Sequence, residues 1–475
     1  MDQILYWNNV ALESDRMAHT VVHHAERGVR GTVGSSRALA ITHLAMHDAY
    51  FGIVPAAHGT YLTTPPTAPP GASAEAAVAV AAHTTLTALY PAQTARLDAA
   101  LQQAGLRGPG TGTGTGSAHG LAVGHAVLSA RAADPGLDGV GYRPSLEPLK
   151  HRADPANPDQ GYYAPHYGAH SRCFAATTRH TLDAPPKQTD PAYERALREV
   201  RGKGIATELS GALPPGLSPR TPEETLIGTF WGYDAAKKIG TPPRLYNLIV
   251  RAVAAARRSG IASNARLFAL VNAAMADAAI LAWDDKYRHN LWRPVLGIRE
   301  HDPSMGPKGL AAQGWDTLCD PFWLPLGAAH TNEPGIPNAT PPFPAYPSGH
   351  AALGAAALQI TRRHCGIGTD GPDSLTDGLA FVSDELDGAG LDRYGIRRPR
   401  HTRTFPGGLW QMIEENARSR VFLGVHWSFD AFAVDADGRM DLSQNIGGVR
   451  LGLDIAGDLW ANGLRAAAAA GPRLP

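Results

Sequence analysis

Three cations stand where ordinary packing would not keep them together. Lys286 and Arg293 are separated by six residues in KYRHNLWRP, and Arg420 opens a third stretch, SRVFLGVHWSFD, that also holds His426 and Asp430. Between them lies PPFPAYPSGHAA, Pro341–Ala352, which offers Ser348, Gly349 and His350. Burying unpaired charge is costly, so cations gathered in one place imply an anionic partner. The cations, a serine, a backbone N–H and two histidines read as a cage for a tetrahedral or trigonal-bipyramidal oxyanion. His426 is the candidate bond-former. Asp430 would accept from one ring nitrogen, fix the tautomer and leave the other nitrogen aimed inward. His350 is the candidate acid or base.

The elements that must position these groups are helices. Four of the first seven residues of Pro341–Ala352 are proline, so that part is not helical. Ser348 then suits an N-cap, and GHAALGAAALQITRR runs unbroken to about Arg363. Such a helix start is an anion site, with His350 in its first turn. A helix over Ser263–Asp285 delivers Trp283 and Lys286 at its C-terminal end. Phe405–Arg420 leads to the third stretch, and a helix continuing through Asp430–Val434 would set Asp430 one turn beyond His426 on one face. Further helices are expected over Ser73–Tyr90, Pro91–Ala104, Leu121–Ala132, Asp190–Lys203, Thr221–Trp231, Leu245–Arg258, Ser374–Gly388 and Gly447–Ala470, the last with a fraying Ala-rich tail. Arg107–Gly120, rich in glycine, reads as a flexible connector. Asp134–Thr189 is irregular and expected to wrap the surface or line an entrance, and Asp302–Asn338 is a long loop. No stretch alternates as a strand, so the chain is mainly α.

At 475 residues and 44% hydrophobic content, the chain can bury one large core or two medium ones. Its net formal charge is zero, which argues against a nucleic-acid or membrane-surface partner. The N-terminus has no basic and apolar leader, and the longest apolar run, Leu267–Trp283, is interrupted by Asn272 and Asp277. A soluble protein is the expectation, its location cytoplasmic or unknown. Cys173, Cys319 and Cys365 form no metal spacing and read as reduced thiols. His19 and His23 are four apart, as are His43 and His47. The first pair reads as surface histidines and the second as packed core histidines, rather than as metal ligands.

Lys-x6-Arg-Pro, Pro-Ser-Gly-His and Ser-Arg-x5-His-x3-Asp, in that order, resemble the signature of the type 2 phosphatidic acid phosphatase and vanadium haloperoxidase superfamily. FWGYDAAKKIGTPPRLYN at Phe230–Asn247, Trp283 three residues before Lys286, and LGVHWSFDA at Leu423–Ala431 are similar to its vanadium chloroperoxidase branch. The resemblance is dense from Phe230 to Asp435 and thin over the N-terminal half. It implies two packed four-helix bundles with long Pro/Gly-rich loops, divided into 1–205 and 206–475, with the site on the C-terminal bundle.

The resemblance also implies vanadate as cofactor and His426 as its single protein ligand. Lys286, Arg293, Ser348, Gly349 and Arg420 would neutralise the oxygens. His350 would take a proton from hydrogen peroxide, and Lys286 would polarise the bound oxidant. Trp283 and Phe343 would flank the approach of halide, and Asp234 would hold Arg420. Hydrogen peroxide, halide and a small organic acceptor are the implied partners, with no nucleic acid or membrane and with homo-oligomerisation left open. Phosphate and vanadate are near-isosteres, so two alternatives stand beside a haloperoxidase. One is a soluble acid phosphatase using a phosphohistidine. The other is a divergent relative that rearranges an organic substrate without oxidising halide, which a deep apolar pocket built by Asp134–Thr189 would favour.

Overall fold

The computed structural model describes residues 1–105, 113–307 and 318–473. Its helices are α1 (Gln3–Ala18), α2 (Gly31–Phe51), α3 (Ala74–Leu89), α4 (Thr94–Gln103), α5 (Thr113–Ala130), α6 (Tyr167–His170), α7 (Pro191–Lys203) and α8 (Pro222–Phe230). They continue with α9 (Pro242–Ala256), α10 (Ile261–His289), α11 (Pro294–Arg299), α12 (Gly349–His364), α13 (Gly408–Phe422), α14 (Ser428–Ala431) and α15 (Gly447–Asn462). One two-residue antiparallel pair, Ala433–Val434 with Met440–Asp441, is the only sheet among the described residues.

The 29-residue α10 is the axis of the molecule. It packs on α2 to one side and on α12 to the other; α3 and α5 pack with α2, and α13 and α15 pack with α12. By length and composition α10 could cross a membrane, but it is buried in the core. Its two polar interruptions are tethers. Asn272 exchanges hydrogen bonds with Asn247 of α9 at 2.9 and 3.1 Å. Asp277 accepts from the backbone N–H groups of Phe174, Ala175 and Ala176. That carboxylate pins the irregular 134–189 stretch to the core, satisfying buried amides that have no helix or sheet to pair with.

Four sequence expectations need correction. Residues 106–112 of the expected connector lie outside the described set, but from Thr113 onward it is helix α5. Its glycines serve close packing: a Cβ on Gly116 or Gly120 would overlap the backbone oxygens of Ser73 and Ala77 on the α3 side. Ser374–Gly388 is not a helix beyond the short 3-10 turn Asp384–Leu386. Asp373 and Asp387 turn back to accept from the N–H groups of Leu375, Ala389 and Gly390, which competes with helix formation. Helix α15 stops at Asn462 because Gly463 takes φ 72°. The Ala-rich tail does not fray: Ala470 pairs with Cys173 and Ala176 through the backbone. His19, expected on the surface, is buried, with Nδ1 on the Asp15 carbonyl and Nε2 accepting from Gly31 N. His43 and His47 are buried and hydrogen-bonded as expected.

Small residues also hold the helix that starts at Ser348. On α15, a Cβ at Gly448 would overlap Ser348 O, and one at Gly452 would overlap Ala352 O. Gly457, on the same helix, faces nothing within 4 Å. Gly452→Ala should therefore destabilise the fold by about 1–3 kcal/mol through overpacking. Gly457→Ala should be neutral or stabilising by about 0.5–1 kcal/mol, because helix propensity alone acts there. Thermal unfolding of the two variants side by side checks the contrast; equal shifts would refute close α12–α15 packing.

Candidate active site

Four chain segments meet at one point. The last two turns of α10 present Trp283 and Lys286, three apart and so on one face. Asn290, at φ 53°, ends that helix and turns the chain toward Arg293, the residue before Pro294 of α11. The proline loop ends at Ser348, which caps α12 by accepting from Ala351 N. The fourth segment runs from the end of α13, with Arg420, to α14.

His426 and Asp430 do meet, but not on one continuous helix. Leu423–Trp427 breaks α13, and Asp430 lies in the first turn of the four-residue α14. From there it reaches back: Oδ2 accepts from His426 Nδ1 at 2.7 Å and from Trp427 N at 3.0 Å. The Asp430 carbonyl meanwhile accepts from Ser348 N at 2.8 Å, which ties the third stretch to the α12 cap. Burial pushes the His426 imidazole well below its ordinary pKa, helped by the charges of Arg293, Lys286 and Arg420. Burial likewise raises Asp430, to about 7, against the pull of Lys286 and Arg293. A neutral imidazole with its proton on Nδ1 leaves the Nε2 lone pair facing inward, where Arg293 Nη1 lies at 2.9 Å.

The two arginines are held at their edges and open at their centres. Arg293 donates through Nε to Phe343 O and through Nη1 to Val425 O, while its Nη2 is buried without a partner among the described residues. Arg420 Nη2 donates to Asp234 Oδ1 at 2.6 Å, and its Nε and Nη1 are buried without partners among the described residues. Leaving such donors unmet costs about 1–3 kcal/mol each. A ligand with several acceptor oxygens would satisfy all three, so the donor set fits an oxyanion. His350 donates from Nε2 to Gly232 O at 2.8 Å, which leaves Nδ1 as the ring's acceptor. Burial and then Arg420 press the His350 pKa down to about 3, so its imidazole is neutral.

Lys286 departs from expectation. Its ammonium is wholly buried and donates to the carbonyls of Pro344, Ala345 and Pro347 at 2.9, 2.9 and 2.5 Å, so all three protons serve the proline loop. Burial, followed by the charge of Arg293, drives its pKa well below the usual lysine range. Trp283 and Phe343 pack with ring centroids 4.8 Å apart, and the ammonium lies 5.6 and 5.2 Å from those centroids.

Asp234, Trp283, Phe343, Gly349, His350, Arg420 and His426 line one narrow throat. Lys286, Arg293 and Ser348 are fully buried behind its wall. Thr32, in the first turn of α2, lines the same throat although no sequence signal marked it. Tyr163 was also missed. Its carbonyl accepts from Tyr287 OH at 2.7 Å, and its hydroxyl meets the start of α2 through Gly34 N and Arg30 O. No group of three His, Cys, Asp or Glu among the described residues could hold a metal ion by itself.

Residues 1–161 match the model of the vanadium chloroperoxidase N-terminal domain, and residues 266–445 match that of the VCPO second helical-bundle domain. The chain is 35% identical over 569 aligned positions to vanadium chloroperoxidase from Curvularia inaequalis, an alignment covering 97% of this chain and 90% of that protein. Its fold is similar to a bacterial vanadium-dependent iodoperoxidase, with TM-score 0.64, 18% identity and 96% of each chain covered. It is also similar to holo-type bacterial vanadium-dependent chloroperoxidase, with TM-score 0.60, 17% identity, and 94% of this chain and 96% of that one covered. Motif order, helix architecture and near full-length identity agree: the chain belongs to the vanadium chloroperoxidase family.

Proposed function

We propose that this protein is a vanadium-dependent haloperoxidase, holding vanadate at His426 Nε2 and using hydrogen peroxide to oxidise chloride or bromide to hypohalous acid. The observation that carries the proposal is the inward Nε2 lone pair set among three buried, unpartnered guanidinium N–H groups. Arg293 and Arg420 would bind the oxyanion's oxygens, with Ser348 and the Gly349 N–H at the α12 start completing the ring. Arg293 Nη1 would leave His426 Nε2 for the ligand, and one Lys286 proton would leave its carbonyl to reach an oxygen. Asp430 fixes the His426 tautomer, and Asp234 orients Arg420. His350 Nδ1, neutral and inside the throat, is placed to take a proton from hydrogen peroxide. When bound, vanadium supplies Lewis acidity that makes peroxide electrophilic towards halide. Trp283 and Phe343 keep that side of the throat dry. We also propose that the chain divides near residue 205 into two helical bundles, the second carrying the site. Phosphate, sharing the charge and shape of vanadate, is expected to compete for the cage.

Residues from the 134–189 stretch do contribute to a chamber outside the throat, as an enzyme acting on an organic substrate without halide would need. Family membership and the aromatic wall weigh for halide oxidation, and the chamber then falls to the acceptor.

Metal-free protein should gain bromide- and peroxide-dependent halogenation of a dye on adding orthovanadate, with phosphate competing. His426→Ala should abolish vanadium retention after desalting, because the anchor is gone. His350→Ala should retain vanadium and lose about 100-fold or more in turnover, because only proton transfer is removed. Equal loss of vanadium in both variants would contradict these separate roles, and phosphate-ester hydrolysis without any vanadate-dependent halogenation would overturn the assignment.

Phe343→His should lower the ratio of chloride to bromide kcat/KM by about tenfold or more, because a polar ring admits water beside Lys286 and weakens its field where the harder halide needs it most. The ratio is to be measured with vanadate saturating. An unchanged ratio would reduce Phe343 to packing.

A further inference from the structure

The throat adjoins a chamber of about 310 Å³, with Thr32, Asp234, Pro341 and Phe343 lining both. The two cavities therefore share a wall, which places the chamber next to whatever is made in the throat. Its apolar side is made by Tyr163 and Phe343, whose ring centroids lie 6.1 Å apart at 50°. Ala328 and Ala339, which pair in an isolated antiparallel bridge, also line the space. Asn157, Gln160, Thr340 and His330 add polar groups, His330 with its Nδ1 3.6 Å from Glu333 Oε2; among the described residues the lining includes no Lys or Arg, and Asp234 is its one carboxylate. The volume sits at the small end of ligand cavities, enough for one ring or two fused rings.

We infer that this chamber binds the organic acceptor, a neutral, electron-rich aromatic or enolic compound of one or two rings, and that halogenation takes place inside it rather than in bulk water. The inference rests on the haloperoxidase reading. Hypohalous acid is an electrophile at halogen. A ring carbon of the acceptor donates its π pair to the halogen, the carbon–halogen bond forms, and the oxygen–halogen bond breaks to release hydroxide. The ring then loses its C–H proton, which combines with that hydroxide as water. The balance is ArH + HOX → ArX + H2O, with no oxidant beyond the hypohalous acid already made. A chamber that holds the ring in one orientation presents one carbon to the throat, so product isomers would record the enclosure. Aromatic walls favour a flat ring, and among the described residues the lining offers an anionic acceptor no Lys or Arg, its one imidazole, His330, already facing Glu333.

The test uses vanadate-loaded full-length protein with bromide and hydrogen peroxide, and three probes: phenol, 1-naphthol and a sulfonated 1-naphthol. Reagent hypobromous acid under the same conditions gives the reference for free halogenation. The wild-type enzyme should shift the ortho-to-para ratio of bromophenols by about fivefold or more, and should prefer 1-naphthol over its sulfonate by about tenfold beyond the reagent's own preference. Ala339→Leu and Ala328→Leu, which fill the chamber, should each lower the kcat/KM ratio of 1-naphthol to phenol by about tenfold. Isomer ratios and acceptor preferences equal to those of the reagent in the wild-type enzyme would overturn the inference, whatever the variants do, because they would mean that hypobromous acid is released. A wild-type enzyme that consumes no peroxide in response to bromide would instead refute the haloperoxidase reading, and this inference with it.

Discussion

Charge without a matching countercharge governs the centre of this molecule. Lys286, Arg293 and Arg420 are buried within reach of one another's fields, and the carboxylates beside them are Asp234 and Asp430. Desolvation of this kind is repaid only by close hydrogen bonding. Backbone oxygens supply much of it: Pro344, Ala345 and Pro347 for Lys286, and Phe343 and Val425 for Arg293. Those carbonyls all belong to non-helical segments, because a helix interior has none to spare. Hence the site sits where helices stop. The end of α10 presents Lys286, and the proline loop before α12 and the turn between α13 and α14 leave main-chain acceptors free to hold Lys286 and Arg293 in place.

The carbonyl support is incomplete by design of the geometry. Carbonyls fix Arg293 at its edge and the Asp234 carboxylate fixes Arg420, which leaves Arg293 Nη2 and Arg420 Nε and Nη1 without partners among the described residues. The pKa values of His350 and His426 are depressed first by burial and then by the neighbouring cations, Arg420 for His350 and Arg293, Lys286 and Arg420 for His426. An arriving oxyanion would relax all of these at once. It would meet the donors, offset the charge of the arginines and oppose the part of the His350 depression that Arg420 causes. Binding and readiness for proton transfer are thus coupled through one field.

The chemistry-bearing residues were legible because their partners are close in sequence or their types are restrictive. A serine before an alanine-rich run is a cap, and it caps α12. A histidine four residues before an aspartate meets it, although through a helix start rather than along a helix face. What could not be read were interactions whose partner is a backbone atom or a distant segment. The donors of Lys286 face carbonyls, which carry no residue identity. Asp277 and Asn272 looked like flaws in an apolar helix and are instead the points where distant chain is tied down. The glycines after residue 113 looked like a linker because glycine content signals flexibility as readily as it signals close helix packing; only the facing backbone of α3 decides between them.

The N-terminal half, where motif resemblance was thin, reaches the site through such untyped contacts. Helix α2 packs along α10 and ends its first turn at the throat with Thr32. Tyr163 is locked to the start of α2 through its hydroxyl and to α10 through its carbonyl, so its ring position follows from the fit between the two halves. The cage itself draws on residues 234–430, yet the space in front of it is shaped by residues 31–163 as well. Selection acting on oxyanion binding would hold the first set fixed. Changes in the second set would leave the buried charges and their carbonyl supports untouched, whereas Asp234 and Phe343, which line the same chamber, also hold Arg420 and Arg293.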